Sequence, residues 1–128
     1  MKSIKFFFLI LLFANSVIAQ TNKKFDVIAY YTGDDKSIND YEINKLTHII
    51  YSFCHLKEGK LTVDNSSDSL TIEHLVSLKA KNPNLKIMLS LGGWGGCAPC
   101  SEVFSTANGR EVFAKSVKEV NDYYKCDG

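Results

Sequence analysis

Apolar positions along the chain fall into three short runs, separated by stretches with helical spacing. Residues 25–31 (FDVIAYY), 46–54 (LTHIIYSFC) and 85–91 (LKIMLSL) are rich in β-branched and aromatic side chains, the composition of strands. The second run is nearly unbroken, as in a strand covered on both faces. Turn chemistry at 32–36 precedes a short helical candidate at 38–45, and Lys57-Glu58-Gly59-Lys60 reads as a turn. Residues 66–69 offer N-caps ahead of Ile72, Leu75, Val76 and Leu78, a 3.6-period face that must end by Asn82-Pro83. Gly92-Gly93 stops the third run. Asn108 is positioned to cap the next helix, with Glu111 three residues on, and Phe113, Val117, Val120 and Tyr124 mark its apolar face. Strand and helix alternate three times, which predicts βαβ units and a parallel sheet with helices outside. Asp127-Gly128 falls where a fourth strand is due.

The amino terminus follows a different pattern. Lys2 and Lys5 precede an unbroken apolar run from Phe6 to Ala14, and Val17-Ile18-Ala19 sets small residues ahead of Gln20. This is the layout of a secretory signal peptide, residues 1–19, with 20–128 as the mature part. A spanning helix needs about 20 apolar residues, so the run is too short for an anchor, and no later segment is apolar enough to cross. The expectation is a secreted protein, extracellular or periplasmic, with no membrane attachment after cleavage.

Charge narrows the partners. Fifteen basic against fourteen acidic residues give +1, and no run of Lys or Arg supplies a nucleic-acid surface. A charged fraction of 23% with 12% aromatics excludes a disordered chain. The acidic pair Asp34-Asp35 and the three histidines read as surface or packing residues.

Export alters how Cys54, Cys97, Cys100 and Cys126 read, because disulfides persist in an oxidising compartment. Four cysteines allow three pairings, and sequence does not choose among them. The two-residue spacing of Cys97 and Cys100 makes a local disulfide between them the expectation. One C-x-x-C without a second well-spaced pair makes a poor zinc site; no metal or cofactor is expected.

The chemistry concentrates at the end of the third run. Ser90-Leu91-Gly92-Gly93-Trp94 combines two glycines that admit close backbone approach with a tryptophan that can lie against a sugar ring. With Tyr30 on the first strand, Thr47-His48-Ile49-Ile50-Tyr51-Ser52-Phe53 on the second, and a helix running into Asp127-Gly128, the chain resembles glycoside hydrolase family 18, the chitinase family. The resemblance covers residues 25 to 128. It implies an α/β fold, a (β/α)₈ TIM barrel of roughly 250 residues, of which this chain carries the first three βα units.

The resemblance also implies the function. The family's strand-four signature is D-x-x-D-x-D-x-E, and Asp127 matches its first Asp, a supporting residue. Positions 130, 132 and 134 would hold the rest. The Glu would protonate the glycosidic oxygen while the substrate's own N-acetyl oxygen attacks the anomeric carbon, which is substrate-assisted retaining catalysis. The expectation is the N-terminal portion of a chitinase acting on chitin or N-acetylglucosamine oligosaccharides, inactive as these 128 residues alone. Tyr51, Phe53, Ser90, Gly92, Gly93 and Tyr30 are expected to underlie the site, with Trp94 on the sugar path. Strand alternation predicts that Tyr51 and Phe53 share a face, as do Ser90 and Gly92.

Two rivals are defined. A chitinase-like lectin would have the same barrel without the acid. A thioredoxin-like oxidoreductase is suggested by Trp94 followed by Cys97-Ala98-Pro99-Cys100. Two extra glycines before the first cysteine, and no later proline, count against it.

Overall fold

The computed structural model describes residues 25–93 and 96–128; the expected leader and Trp94 lie outside them. Four strands and three helices follow in the order β1 (Ile28–Tyr31), β2 (His48–Lys57), β3 (Lys60–Thr62), α1 (Ser66–Ser77), β4 (Lys86–Leu91), α2 (Cys100–Ser105) and α3 (Ala107–Tyr124). β2 is central, with β1 and β4 parallel to it on either side. Ile50 lies opposite both Tyr30 and Met88, and Tyr51 opposite both Tyr31 and Leu89. The backbone of Asp127 and Gly128 continues the sheet beyond β4: Asp127 N donates to Ile87 O (2.7 Å), and Leu89 N to Gly128 O (2.8 Å).

One face of the sheet forms the core. Ile49, Cys54 and Ile87 are fully buried against Ile72 and Leu75 of α1, and Leu78 and Leu85 complete the cluster. Burying each such side chain contributes about 1.5–3 kcal/mol. Phe113, Val117, Val120 and Tyr124 of α3 pack against the same cluster, the face that their spacing predicts. A buried bond ties α3 to the strands: Leu61 N donates to Ser116 Oγ at 2.8 Å.

Four local features differ from expectation. The candidate helix at 38–45 is two 3₁₀ turns, Ser37–Asp40 and Ile43–Lys45, which bury Ile38 and Ile43. Asp34 Oδ1 accepts from Lys36 N and Ser37 N, and such local bonds compete with helix in a segment too short to propagate one. β2 runs on to Lys57 and returns as antiparallel β3. Glu58 and Gly59 at the turn both have positive φ, 51° and 77°, as a two-residue type I′ hairpin requires. α1 is capped by Asn65, and α3 by Thr106, whose Oγ1 accepts from Gly109 N at 3.0 Å, rather than by Asn108. Finally, α2 occupies the stretch before that cap, where no helix was expected.

Candidate sugar-binding face

The two faces of the sheet have different fates. Ile49, Tyr51 and Ile87 point to the helices and are buried. Residues in the alternate register, among them Ile28, Tyr30, Ile50, Met88 and Ser90, form the other face, where Ile28 is 55% and Tyr30 68% exposed. The exposed Tyr30 ring is a surface on which a pyranose can stack.

Tyr51 and Phe53 do not share a face. The register with β4 shifts between Ser52 and Cys54, and the Ser52–Phe53 peptide is cis. Phe53 is the extra residue of a bulge, which breaks the two-residue alternation. Tyr51 therefore belongs to the helix-packed core, 4% exposed, where burial and the nearby Asp68 carboxylate raise its phenol pKa. Cys54 joins it there, with its thiol pushed up to about 12 by burial.

Phe53 instead meets the end of β4. An added Cβ at Gly93 would lie 2.7 Å from its ring, and Gly93 itself has φ 121°. Only glycine fits there, since both the backbone angle and the approaching ring exclude a side chain. Gly92, at φ 104°, closes the ladder by donating its N–H to Cys54 O at 3.0 Å. Ser90, Gly92, Gly93 and Phe53 are thus brought together at the carboxyl end of the sheet. Tyr30, on β1 across β2 from β4, is level with Met88 rather than with the glycines.

Asp127 sits elsewhere. Its Oδ2 accepts from Ile87 N at 2.9 Å and pairs with Lys79, while Oδ1 pairs with Lys86 at 3.2 Å. Burial would raise its pKa, but the Lys79 contact, the Ile87 N–H and Lys86 outweigh that and hold it at about 2. Ile87 is five residues from Gly92, about 16 Å along a strand, so this carboxylate braces the amino end of the sheet. No sequence pattern announced Lys79 or Lys86, because neither lies within forty positions of the aspartate. By contrast, a Cβ at Gly128 would meet Met88 Cε at 3.3 Å, so Gly128 turns toward the open face.

Beyond β4 the Cys97 and Cys100 sulfurs are bonded, with Cα atoms 5.3 Å apart, and Cys54 and Cys126 are free thiols. Burial raises Cys126 to about 11. Among the described residues, no group of three or more His, Cys, Asp or Glu could hold a metal ion, and no helix is long and apolar enough to cross a membrane.

The described residues thus form a partial α/β sheet, mostly parallel, with helices over one face and a glycine turn at its carboxyl edge. The family model for glycosyl hydrolases family 18 matches residues 26–128, and the chain belongs to that family, which sets aside the thiol-oxidoreductase reading of Cys97 and Cys100. Mouse chitotriosidase-1 is 37% identical over 78 residues, covering 60% of this chain and 17% of its own. The chain thus spans about a sixth of that relative. Among solved structures, the chitinase domain of the Clostridium difficile spore coat protein CotE superposes with a TM-score of 0.72 at 25% identity, over 87% of this chain and 31% of that one. Human YKL-39, described as a pseudo-chitinase with retained chitooligosaccharide binding, superposes with 0.67 at 25% identity, over 82% and 31%.

Proposed function

We propose that these residues are the first part of the catalytic domain of a secreted chitinase, which hydrolyses β-1,4 N-acetylglucosamine linkages with retention. The observation that carries this reading is the orientation of Gly128. It faces Met88 on the open side of the sheet, so alternation along a continuing strand aims positions 130, 132 and 134 at that same side. Those are the positions the family signature reserves for its acids. Asp127, one residue earlier, belongs to the opposite parity and serves as anchor.

In this reading Tyr30, Phe53 and Ser90 line the floor under the sugar, Gly92 and Gly93 let backbone approach it, and Trp94 stacks on a ring. Tyr51 supports them from the core. The protonating Glu and the stabilising Asp come from the continuing strand, and the N-acetyl oxygen of the substrate is the nucleophile. The test is to incubate the whole protein with chitin oligomers and follow both cleavage and anomeric configuration. Cleavage with retention supports the proposal, and inversion overturns the mechanism. Binding without cleavage would favour the lectin alternative, for which the likeness to the YKL-39 pseudo-chitinase gives specific grounds.

A further inference from the structure

We propose that Asn65 is an N-glycosylation site. Of all the asparagines in the chain, only Asn65 is followed by the N-x-S/T pattern, as Asn65-Ser66-Ser67 with no intervening proline. All three residues are exposed. Asn65 has extended backbone, φ −155° and ψ 175°, at the junction between β3 and α1.

The way Asn65 caps α1 is compatible with a glycan. The capping atom is Oδ1, which accepts from Asp68 N at 3.0 Å. Glycosylation occurs on Nδ2 and leaves that oxygen in place. Nδ2 donates to Asp68 Oδ2 at 3.0 Å, which needs one hydrogen, and a glycosylated amide keeps one of its two. Asn82 makes the contrast: it is half-buried, and both hydrogens of its Nδ2 are used by Ile43 O (3.2 Å) and Leu46 O (3.0 Å), so a substituent there would break a tertiary bond. The location fits as well. α1 packs on the helix-covered face of the sheet, and residues 65–67 at its start are exposed to solvent.

The transfer balances with a lipid-diphosphate-linked oligosaccharide as donor. A bond forms between Nδ2 and the sugar's anomeric carbon as the bond from that carbon to the diphosphate breaks. The lipid diphosphate leaves, and Nδ2 gives up one proton. The proposal rests on export, but not on chitin chemistry.

The test expresses the chain in a eukaryotic secretory host and measures intact mass before and after enzymatic removal of N-glycans, with peptide mapping of Asn65. One version carries residues 1–19 and a second a proven secretory leader, so failure of the native leader is told apart from failure of the site. A single glycan is expected, lost in Asn65→Gln and Ser67→Ala and retained in Ser67→Thr. Modification is cotranslational and does not require the folded state. Lumenal or secreted protein with unmodified Asn65 under the proven leader overturns the proposal.

Discussion

The carboxylate of Asp127 accepts the backbone N–H of Ile87 at 2.9 Å, a side-chain bond that fixes where a new strand starts against an existing one. Because its folded pKa is depressed from 3.8 to about 2, its contribution is complete above the ordinary value and fades as pH falls toward 2. Allowing for partial solvent exposure, that contribution is about 1–2 kcal/mol at neutral pH. Asp127→Asn keeps an acceptor for Ile87 but drops the charge facing Lys79 and Lys86. Melting of the whole protein and of this variant should therefore differ at pH 7 and converge near pH 2. A gap that does not close would mean that the ion pairs contribute nothing.

Gly93→Ala should cost more than Gly92→Ala. Both force a side chain onto a positive φ, which costs about 1–3 kcal/mol. At Gly93 the new Cβ also strikes the Phe53 ring, whereas at Gly92 nothing lies within 4 Å. A total of about 2–4 kcal/mol is expected at Gly93, part of it recovered by adding Phe53→Ala. Denaturant unfolding of the two single variants and the double variant decides; equal losses at both glycines would remove the ring from the account.

Trp94→Ala in the whole protein should weaken chitin-oligomer binding while leaving stability within about 1 kcal/mol, the range of an exposed change. Calorimetric titration alongside thermal melting separates the outcomes. A loss of several kcal/mol in stability with normal binding by the folded fraction would assign Trp94 to packing.

Residues 20–128 expressed alone should neither turn over chitin oligomers nor run as a sharply melting monomer. Among the described residues, β1 pairs only with β2, and Ile28 and Tyr30 on its uncovered side are exposed. An unpaired apolar edge recruits other strands. Light scattering, melting and an oligomer-cleavage assay test both halves: turnover would overturn one, a cooperative monomer the other.

Cys97 and Cys100 should be recovered as a disulfide from secreted protein, with Cys54 and Cys126 reduced. So short a closed loop removes little chain entropy, so replacing both by serine should cost less than the typical 2–4 kcal/mol. Mass mapping of unreduced peptides checks the pairing, and a bond from either residue to Cys54 or Cys126 would refute it.

The three parallel strands and the α3 face were legible in the sequence because burial imposes a period, whereas the β3 hairpin was not. Leu85–Leu91 could be read as a strand, and β4 occupies Lys86–Leu91. Phe113, Val117, Val120 and Tyr124 repeat at helical spacing because one stripe meets the core. What the sequence hid has no period. The 3₁₀ turns depend on Asp34 competing for nearby amides, and Thr106 outcompeted Asn108 for the cap through a single hydroxyl. The lysines around Asp127 meet it only after the chain has folded back. The glycine pair stood out as a motif, but its partner did not: that Phe53 presses on Gly93 follows from a bulge, which leaves no local signature.

That bulge also divides β2 into two reading frames. Up to Ser52 the odd-numbered residues Ile49 and Tyr51 are buried; beyond Phe53 the even-numbered Cys54 and Leu56 are, with Leu56 set opposite the buried Leu61. Phe53 is the one residue the bulge absorbs, and leaving it out of the alternation keeps both halves in phase with the core. Deleting that one residue would leave Ile49, Tyr51, Cys54 and Leu56 in plain alternation, all still inward with His55 and Lys57 outward, whereas deleting a regularly paired neighbour such as Ile50 would turn one half of the strand over against the other.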